Sequence, residues 1–210
     1  MCRLCQGMGV KIVHRLPEYS GRLSGGMSGT MKKASLYLQS SADRKIKEGV
    51  PPPNSPLSAK VKQGSQTLRD TGDLMRSIAP HSGETWADAS TDKPYAKILQ
   101  EGGTIKPKKA RSLWIPAGPE TRRLMKTYGA LSPASLIEAM KADGYSFFKT
   151  PLSKVFCAVK GKRGKPFALF IIRSSVTIPA RPFLYIDDKD EAYLLKLLQD
   201  GVMKALKGKG

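Results

Sequence analysis

The sequence has few of the features that would place a protein outside the cytoplasm. Its 210 residues include only three cysteines, which are too few and too unevenly placed for a disulfide framework. No apolar run approaches the ~18 residues that cross a bilayer, and the chain does not open on a signal-peptide pattern. We therefore expect a protein that is made and used in a cytoplasm and has no membrane partner.

Histidine is equally scarce, and no group of residues has the pattern of acid–base or nucleophilic catalysis. His81 has no carboxylate and nucleophile near it in the sequence. Residues 161–166 resemble a phosphate-binding loop only superficially, because the Gly-Lys-Ser/Thr ending and the following helix are missing. We interpret the chain as a non-enzyme that uses no cofactor.

Cys2 and Cys5 are the one pair whose spacing invites a metal or redox interpretation. A structural zinc ion takes four ligands. The other candidates, Cys157, His14 and His81, are scattered without the usual spacing of a second pair. We predict no metal site, and a metal-dependent enzyme is the least favoured alternative.

Acidic residues are scarce relative to basic ones, with 17 Asp and Glu against 36 Lys and Arg and a net charge of +19. Such a charge favours polyanions or acidic protein surfaces as partners. The basic clusters lack the interleaved aromatic residues that stack bases, so they predict non-specific attraction or simple solubility, not sequence readout. The residues that we expect to face DNA or an acidic partner are Lys106, Lys108, Lys109, Arg111, Lys162, Arg163 and Lys165.

Hydrophobic periodicity predicts helices near both ends of the chain. A long amphipathic helix is expected from about Ser28 to Lys47, with Gly49 as its stop. A final helix is expected after a capping box formed by Asp188 and Glu191. The predicted inward residues of the first helix are Met31, Ala34, Leu38, Ala42 and Ile46, and those of the last are Leu195, Leu198, Val202 and Leu206.

Strands and short helices are predicted between these two helices. Alternating or β-rich segments at residues 84–90 and 112–117 predict strands, and residues 155–159 and 167–172 predict a hairpin. Short helices are expected after Thr71, after Pro94, and twice between Pro119 and Asp143. The expected fold class is α+β: a small antiparallel or mixed sheet packed against the long N-terminal helix and the C-terminal helix, with extended loops. We expect residues 1–27 to form a flexible segment and residues 28–208 a single domain.

The stretch "SSVTIPARPFLYI" at residues 174–186 interrupts a hydrophobic strand with two prolines. Pro179 cannot donate to a strand ladder, and Pro182 biases Arg181 towards extended geometry. The chain is therefore expected to leave the sheet as a rigid corner and turn into the final helix. The Arg181 guanidinium suits backbone carbonyls or a carboxylate. Two alternatives stay open for it: a pin within its own subunit, or a contact with a neighbouring subunit.

Four segments, taken in order, resemble the phage virion morphogenesis family, the Mu-like tail completion proteins. The first is "EGVPPPNSPLSAKVKQGSQTLRDTGDLMRSI", the second "KPYAKILQEGGTI", the third "LWIPA" and the fourth "VTIPARPFLYI". The family commonly has His and Phe-Gly-Gly in the second segment, where this chain has Leu99 and Glu101-Gly102-Gly103. The resemblance covers roughly residues 32–206, and residues 119–165 look like an insertion.

The resemblance implies a structural virion protein that completes the tail or neck and helps join tail to head. It implies a homo-oligomeric ring, expected to be a hexamer, around the DNA channel, in contact with other neck and tail proteins and with packaged DNA through non-specific charge. Such a protein is made in the bacterial host cytoplasm and ends up in the virion. The expected interface residues are Tyr95, Gly102, Gly103, Arg181 and Phe183, with plain core packing as the alternative for Phe183 and for Trp114. A basic, non-specific nucleic-acid-binding protein is the alternative function.

Overall fold

The structure is a computed structural model that describes residues 8–13, 20–62, 66–108, 110–150, 154–161 and 163–206. These residues form seven helices and nine strands, and every paired strand is antiparallel. The α+β fold, with a long N-terminal helix and a C-terminal helix, is confirmed. No helix in the described part of the chain is long and apolar enough to cross a membrane.

The elements follow in chain order. They are β1 (Met8–Val13), α1 (Ser20–Glu48), α2 (Pro56–Val61), α3 (Asp73–Arg76), β2 (Ile78–Ser82), β3 (Trp86–Thr91), α4 (Ala96–Glu101), β4 (Gly103–Ile105), β5 (Leu113–Pro116), α5 (Pro119–Thr127), α6 (Pro133–Ala142), β6 (Tyr145–Thr150), β7 (Val155–Lys160), β8 (Phe167–Arg173), β9 (Val176–Ile178) and α7 (Asp188–Leu206).

The chain packs as two compact units. Unit 1 comprises Met1–Pro52, Gln66–Gly102 and Pro179–Gly210, and unit 2 comprises Pro53–Ser65 and Gly103–Ile178. The predicted organisation, with a segment over residues 1–27, one domain over residues 28–208 and an insertion at residues 119–165, stays a prediction.

Unit 1 is built around α1. This helix packs on the sheet β1-β3-β2 and against α7. Ala87 and Ala89, on the buried face of β3, are small enough for the helix to approach the sheet closely. On the other side, a Cβ at Gly201 of α7 would overlap the side chain of Thr30 on α1, so that contact requires glycine. The predicted inward residues of α1, namely Met31, Ala34, Leu38, Ala42 and Ile46, are all buried.

A buried carboxylate joins α7 to α1. Asp190 is fully buried and accepts hydrogen bonds from Ser41 Oγ at 2.7 Å, Lys45 Nζ at 2.6 Å and Arg44 Nη2 at 2.9 Å. Tyr37 OH donates to the same carboxylate at 3.1 Å. A buried charge is tolerable only when it is paired and hydrogen-bonded, and this one has both cations and hydroxyl donors.

These contacts determine the protonation of Asp190. Burial by itself raises the pKa of this carboxyl, but the hydrogen bonds from Lys45, Ser41, the Asp187 N–H and Arg44 together hold its pKa well below the usual range. The carboxylate is therefore charged at any pH at which the protein is used. It also caps the helix, because Asp187 and Asp190 exchange backbone-to-side-chain hydrogen bonds.

Unit 2 is a four-stranded antiparallel sheet, in the order β5-β8-β7-β6, with α5 and α6 packed on one face. The core of this unit combines Leu136 and Met140 of α6 with Ala158, Leu169 and Phe170 of the sheet. Aromatic contacts widen this core: Trp114 meets Phe156 and Phe170 edge to face, and Phe147 stacks on Phe156. A separate two-stranded sheet pairs β4 with β9.

Several sequence predictions of elements need correction. The helix α1 begins at Ser20, eight residues before the predicted start, because burial of Met27 offsets the poor helix propensity of the glycines. The capping box is Asp187 with Asp190, not Asp188 with Glu191. The inward stripe of α7 passes through Leu194 and not through Leu195, whose side chain is exposed. The strands β1, β2, β4 and β6 and the short helix α2 were not predicted.

Replacing the buried carboxylate tests its role. We expect Asp190→Asn to lower the free energy of unfolding of unit 1 by up to about 3–5 kcal/mol, because the buried Lys45 would keep only the more distant carboxylate of Asp187, at 3.4 Å, as its counter-ion. The matched control is Asp188→Asn, which removes an exposed carboxylate from the first turn of the same helix and should cost about 1 kcal/mol or less.

Comparison of Asp190→Asn with the wild type also gives a pH signature. A carboxyl whose pKa is lowered by folding stabilises the native state fully above its unfolded pKa of about 3.9, and this contribution is lost as the pH falls towards the folded pKa. Chemical unfolding between pH 5 and pH 2 should show a steeper loss of stability for the wild type than for Asp190→Asn. If stability fell equally with pH in the two proteins, the lowered pKa of Asp190 would be contradicted.

Candidate functional site

Two of the predicted interface residues, Arg181 and Phe183, lie in one segment of unit 1, residues 179–187, which we call the corner segment. Its first half is fixed by backbone hydrogen bonds. The Arg181 N–H donates to the Leu99 carbonyl of α4 at 2.7 Å, and Arg181 Nε donates to the Pro52 carbonyl at 2.8 Å. The proline-rich loop, α4 and the proline-bounded corner, three of the segments that carry the family resemblance, therefore meet at this arginine.

Gln100 fixes the next part of the corner segment. Its Oε1 accepts hydrogen bonds from the Phe183 N–H at 2.9 Å and the Leu184 N–H at 3.1 Å. Its Nε2 donates to the Leu184 carbonyl at 2.8 Å. The Gln100 amide thus makes hydrogen bonds to Phe183 and Leu184 of the kind that a partner strand would make. The preceding residue, Pro182, has no N–H to donate.

The far end of the corner segment is held by Lys45. The Lys45 ammonium donates to the Tyr185 carbonyl at 2.6 Å, lies 3.4 Å from Asp187 and stands 3.9 Å from the centre of the Tyr185 ring. It also donates to Asp190, as described above. The segment is therefore fixed at its start, middle and end by the rest of unit 1.

For Arg181 and Phe183 the sequence left two alternatives, contact with a neighbouring subunit or packing within the same subunit, and this geometry bears on both. Phe183 is fully buried in the core of unit 1, as the core alternative requires. Arg181 is buried too, and its contact with Pro52 is the intrachain pin. What the corner segment offers to a partner is its outer side, where Pro182, Tyr185 and Ile186 are exposed. An intersubunit role for Arg181 stays a prediction.

The other predicted interface residues lie around α4. Tyr95 is the N-cap of this helix, and its side chain is 42% exposed. Gly102 caps the C-terminus with φ of 73°, and Gly103 follows with φ of 145°. Both angles lie in the region that favours glycine, so a side chain at either position would strain the turn from α4 into β4.

The predicted basic residues lie in unit 2. Lys106, Lys108 and Arg111 are exposed in the connection between β4 and β5, and Arg163 and Lys165 are exposed between β7 and β8. Lys109 and Lys162 lie outside the described residues. Unit 2 as a whole has 17 Lys and Arg against three Asp and Glu, a net charge of +14, whereas unit 1 has 19 against 14.

The described residues contain no cluster of three or more His, Cys, Asp or Glu that could hold a metal ion. Cys2 and Cys5 lie outside the described part of the chain. Gln100 and Lys45 were missed by the sequence analysis, since a single Gln or Lys in a helix gives no signal of which distant backbone atom it meets.

Truncation of Arg181 tests the pin. We expect Arg181→Ala to lose about 1–3 kcal/mol in the free energy of unfolding, because the buried arginine side chain would no longer make its charge-assisted hydrogen bond to the Pro52 carbonyl. Lys97→Ala, which removes an exposed cation from neighbouring α4, is the control and should be neutral. Equal denaturant midpoints for the two variants would contradict the pin.

A comparison with known protein families supports the family resemblance that the sequence motifs indicated. A sequence profile of the phage virion morphogenesis family matches residues 22–127, about half of the chain. The match spans α1, the proline-rich loop and α4, and it ends before the corner segment. No curated protein and no solved structure matches this chain. The chain belongs to the phage virion morphogenesis family, and its role is in the structure or assembly of the virion.

Proposed function

We propose that this protein completes the phage tail or neck and joins the tail to the head, as a non-enzymatic ring, expected to be a hexamer, around the DNA channel. Membership of the virion morphogenesis family is the observation that carries the proposal. The partners are other copies of the chain, neighbouring neck and tail proteins, and packaged DNA.

The uneven distribution of charge supports a place beside DNA. Unit 2 contributes +14 of the net +19, and its exposed cations include Lys106, Lys108 and Arg111 in one connection. A surface of this kind attracts phosphate without reading sequence. It suits contact of unit 2 with DNA of any sequence or with an acidic neck protein.

The fixed corner segment supports a structural role. Its backbone is held by Gln100, Lys45 and the Leu99 carbonyl, so its exposed outer side is presented in one conformation. A preordered surface loses little conformational entropy when it docks, which favours assembly.

The proposal predicts where the protein is found and what its loss does. A phage whose gene for this chain carries an early stop codon should yield DNA-filled heads and separate tails. Supplying the wild-type chain from a plasmid should restore joined particles. Electron microscopy of lysates counts DNA-filled heads, separate tails and joined particles. Antibody labelling of complemented virions should mark the head–tail junction. Label elsewhere in the particle, or joined particles without the chain, would refute the proposal.

A free, non-specific nucleic-acid-binding protein is the second candidate, and the charge of unit 2 is the observation that favours it. The two candidates differ in affinity for duplex DNA. The free binder should bind tightly, whereas the neck protein should bind weakly at physiological salt. In either case the logarithm of affinity falls linearly with the logarithm of salt concentration.

Charge reversal tests the DNA-facing surface. We expect Lys106→Glu/Lys108→Glu/Arg111→Glu to reduce the salt slope by about 3, since each lost phosphate contact removes about 0.9 from it. The matched control is Lys32→Glu/Lys33→Glu/Lys47→Glu, which makes the same change of charge on the exposed side of α1. Fluorescence anisotropy with a short duplex measures both slopes. If both triple variants reduced the salt slope equally, DNA binding would depend only on the total charge of the protein and not on Lys106, Lys108 and Arg111.

A further inference from the structure

The strand register divides the basic residues of unit 2 between opposite ends of its four-stranded sheet. The connection into β5 reaches the sheet at Leu113, which pairs with Arg173 at the end of β8. The turn between β7 and β8 lies at the other end, where Ala158 pairs with Phe167. Because β8 has seven residues, the two ends are about 20 Å apart. The connection carries Lys106, Lys108 and Arg111, and the turn carries Arg163 and Lys165.

The loop of residues 106–112 has both of its ends fixed next to β8 and β9. Ile105, which precedes the loop, pairs with Val176 of β9. Leu113, which follows it, pairs with Arg173 of β8. Only two residues separate Arg173 from Val176, so seven residues on one side span the same gap as two on the other. The basic loop therefore bulges outwards from this end of the sheet.

Three more exposed cations lie at the same end of the sheet. Arg173 is the last residue of β8. The Lys154 carbonyl accepts a hydrogen bond from the Ile172 N–H at 2.8 Å, which places Lys154 next to the end of β8. Lys149, near the end of β6, pairs with Phe156 near the start of β7. We call the six described cations the cationic end: Lys106, Lys108, Arg111, Lys149, Lys154 and Arg173.

The cationic end has no carboxylate of its own unit to neutralise it. Unit 2 has three acidic residues. Glu120 lies in the first turn of α5, which follows β5, and Asp143 directly precedes β6, so both belong to the opposite end; Glu138 lies within α6. At that opposite end Lys160 pairs with Asp143 at 3.3 Å. Among the described residues, the six side chains of the cationic end form no ion pair.

We propose that the cationic end binds the sugar–phosphate backbone of duplex DNA and that the opposite end of the sheet does not. The inference rests on the proposed place beside packaged DNA, and it names the surface that meets that DNA. Six unneutralised cations on a sheet end attract a polyanion more strongly than the paired cation of the opposite end does. Three of them, Lys149, Lys154 and Arg173, carry no sequence signal, because only the strand register brings them to the basic loop.

The neighbouring residues favour phosphate over the other polyanions. Ser112, Ser174 and Ser175 lie beside the cations, and hydroxyl groups together with Lys and Arg make most contacts to the DNA backbone. The loop 106–112 and the connection after β8 contain no aromatic residue. Exposed bases of a single strand would therefore find nothing there to stack on. An acidic protein would find none of the aromatic side chains that are enriched in the cores of protein interfaces.

The width of the cationic end suits a duplex. The end of the sheet, from β5 to β6, is three strand spacings or about 14 Å wide. The major groove of B-DNA is about 12 Å wide. Cations beside β5 and on β6 are therefore far enough apart to meet phosphates on both sides of one major groove. Such contacts position the protein on DNA of any sequence.

Matched double substitutions test the surface. Lys149→Gln/Arg173→Gln removes one lysine and one arginine from the cationic end, and Arg163→Gln/Lys165→Gln removes the same two types from the opposite end. Fluorescence anisotropy with a short duplex, repeated over a range of salt concentrations, measures the salt slope. The first variant should reduce the slope by about 1.8, since each lost phosphate contact removes about 0.9, and the second should leave it unchanged.

A second variant guards against a folding defect. Lys106→Gln/Arg111→Gln has the same composition and lies in the basic loop, outside the strands, and it should reduce the slope equally. All four strand and turn positions are exposed, so every variant should keep the thermal unfolding midpoint of the wild type. Equal reductions at the two ends, a larger reduction at the opposite end, or a wild type that fails to bind duplex DNA at low salt would overturn the inference.

The nature of the polyanion is tested with two further probes. An oligothymidine with the same number of phosphates represents a single strand, and a polyglutamate with the same number of charges represents an acidic protein. The wild type should bind the duplex most tightly, and Lys149→Gln/Arg173→Gln should lose at least fivefold in affinity for it at low salt. Tighter binding of polyglutamate would identify an acidic protein as the partner, and tighter binding of oligothymidine a single strand; either result would refute the assignment to duplex DNA.

Failure of this inference is distinguishable from failure of the proposed function. If antibody labelling places the chain at the head–tail junction while both double variants bind duplex DNA alike, the function holds and the surface is wrong. If the salt slopes differ as expected but heads and tails join without the chain, the surface holds and the proposed function is wrong.

Discussion

Unit 1 depends on the hydrogen bonds and ion pairs that the buried Asp190 carboxylate makes with α1. The carboxylate lies without solvent contact between α7 and α1, and it is the nearest counter-ion of Lys45, which is itself buried. Lys45 in turn holds the Tyr185 carbonyl. A single charged pair therefore fixes the start of α7 and the end of the corner segment together. Removing either partner would leave the other buried charge with only its more peripheral partner, Arg44 for Asp190 or Asp187 for Lys45, which is why such pairs tolerate little substitution.

Much of this fold could be predicted because the signals are local. Met31, Leu38 and Ile46 repeat at helical spacing, and they indicated both the existence and the inner face of α1. The hairpin β7-β8 was evident from two β-rich runs around a glycine-bounded turn. The predicted inward residues Leu198 and Val202 of α7 do pack against the core, but Leu195 was wrong, because the inner side of the first turns includes a charged residue, Asp190, and sequence periodicity assigns charge to the outside.

The site could be predicted only in outline. The prolines around Arg181 predicted a stiff corner, and the structure has one, but the groups that hold it are distant in sequence. Gln100 meets the Leu184 carbonyl across 84 residues, and Lys45 meets the Tyr185 carbonyl across 140. No pattern within a short window specifies such partners. The concentration of charge in unit 2 was likewise hidden, because it needs the boundaries of the units, which depend on tertiary packing.

The order of the elements along the chain determines when unit 1 can be completed during synthesis. Its central helix α1 is synthesised early, whereas its partner α7 follows only after the whole of unit 2. The bond from Lys45 to Asp190 closes a loop of 145 residues. At about 5–20 residues per second, a ribosome needs roughly 7–30 s to make that stretch. The nascent chain thus waits for its last helix before unit 1 is complete, so a half-made copy has no finished surface with which to enter a growing particle.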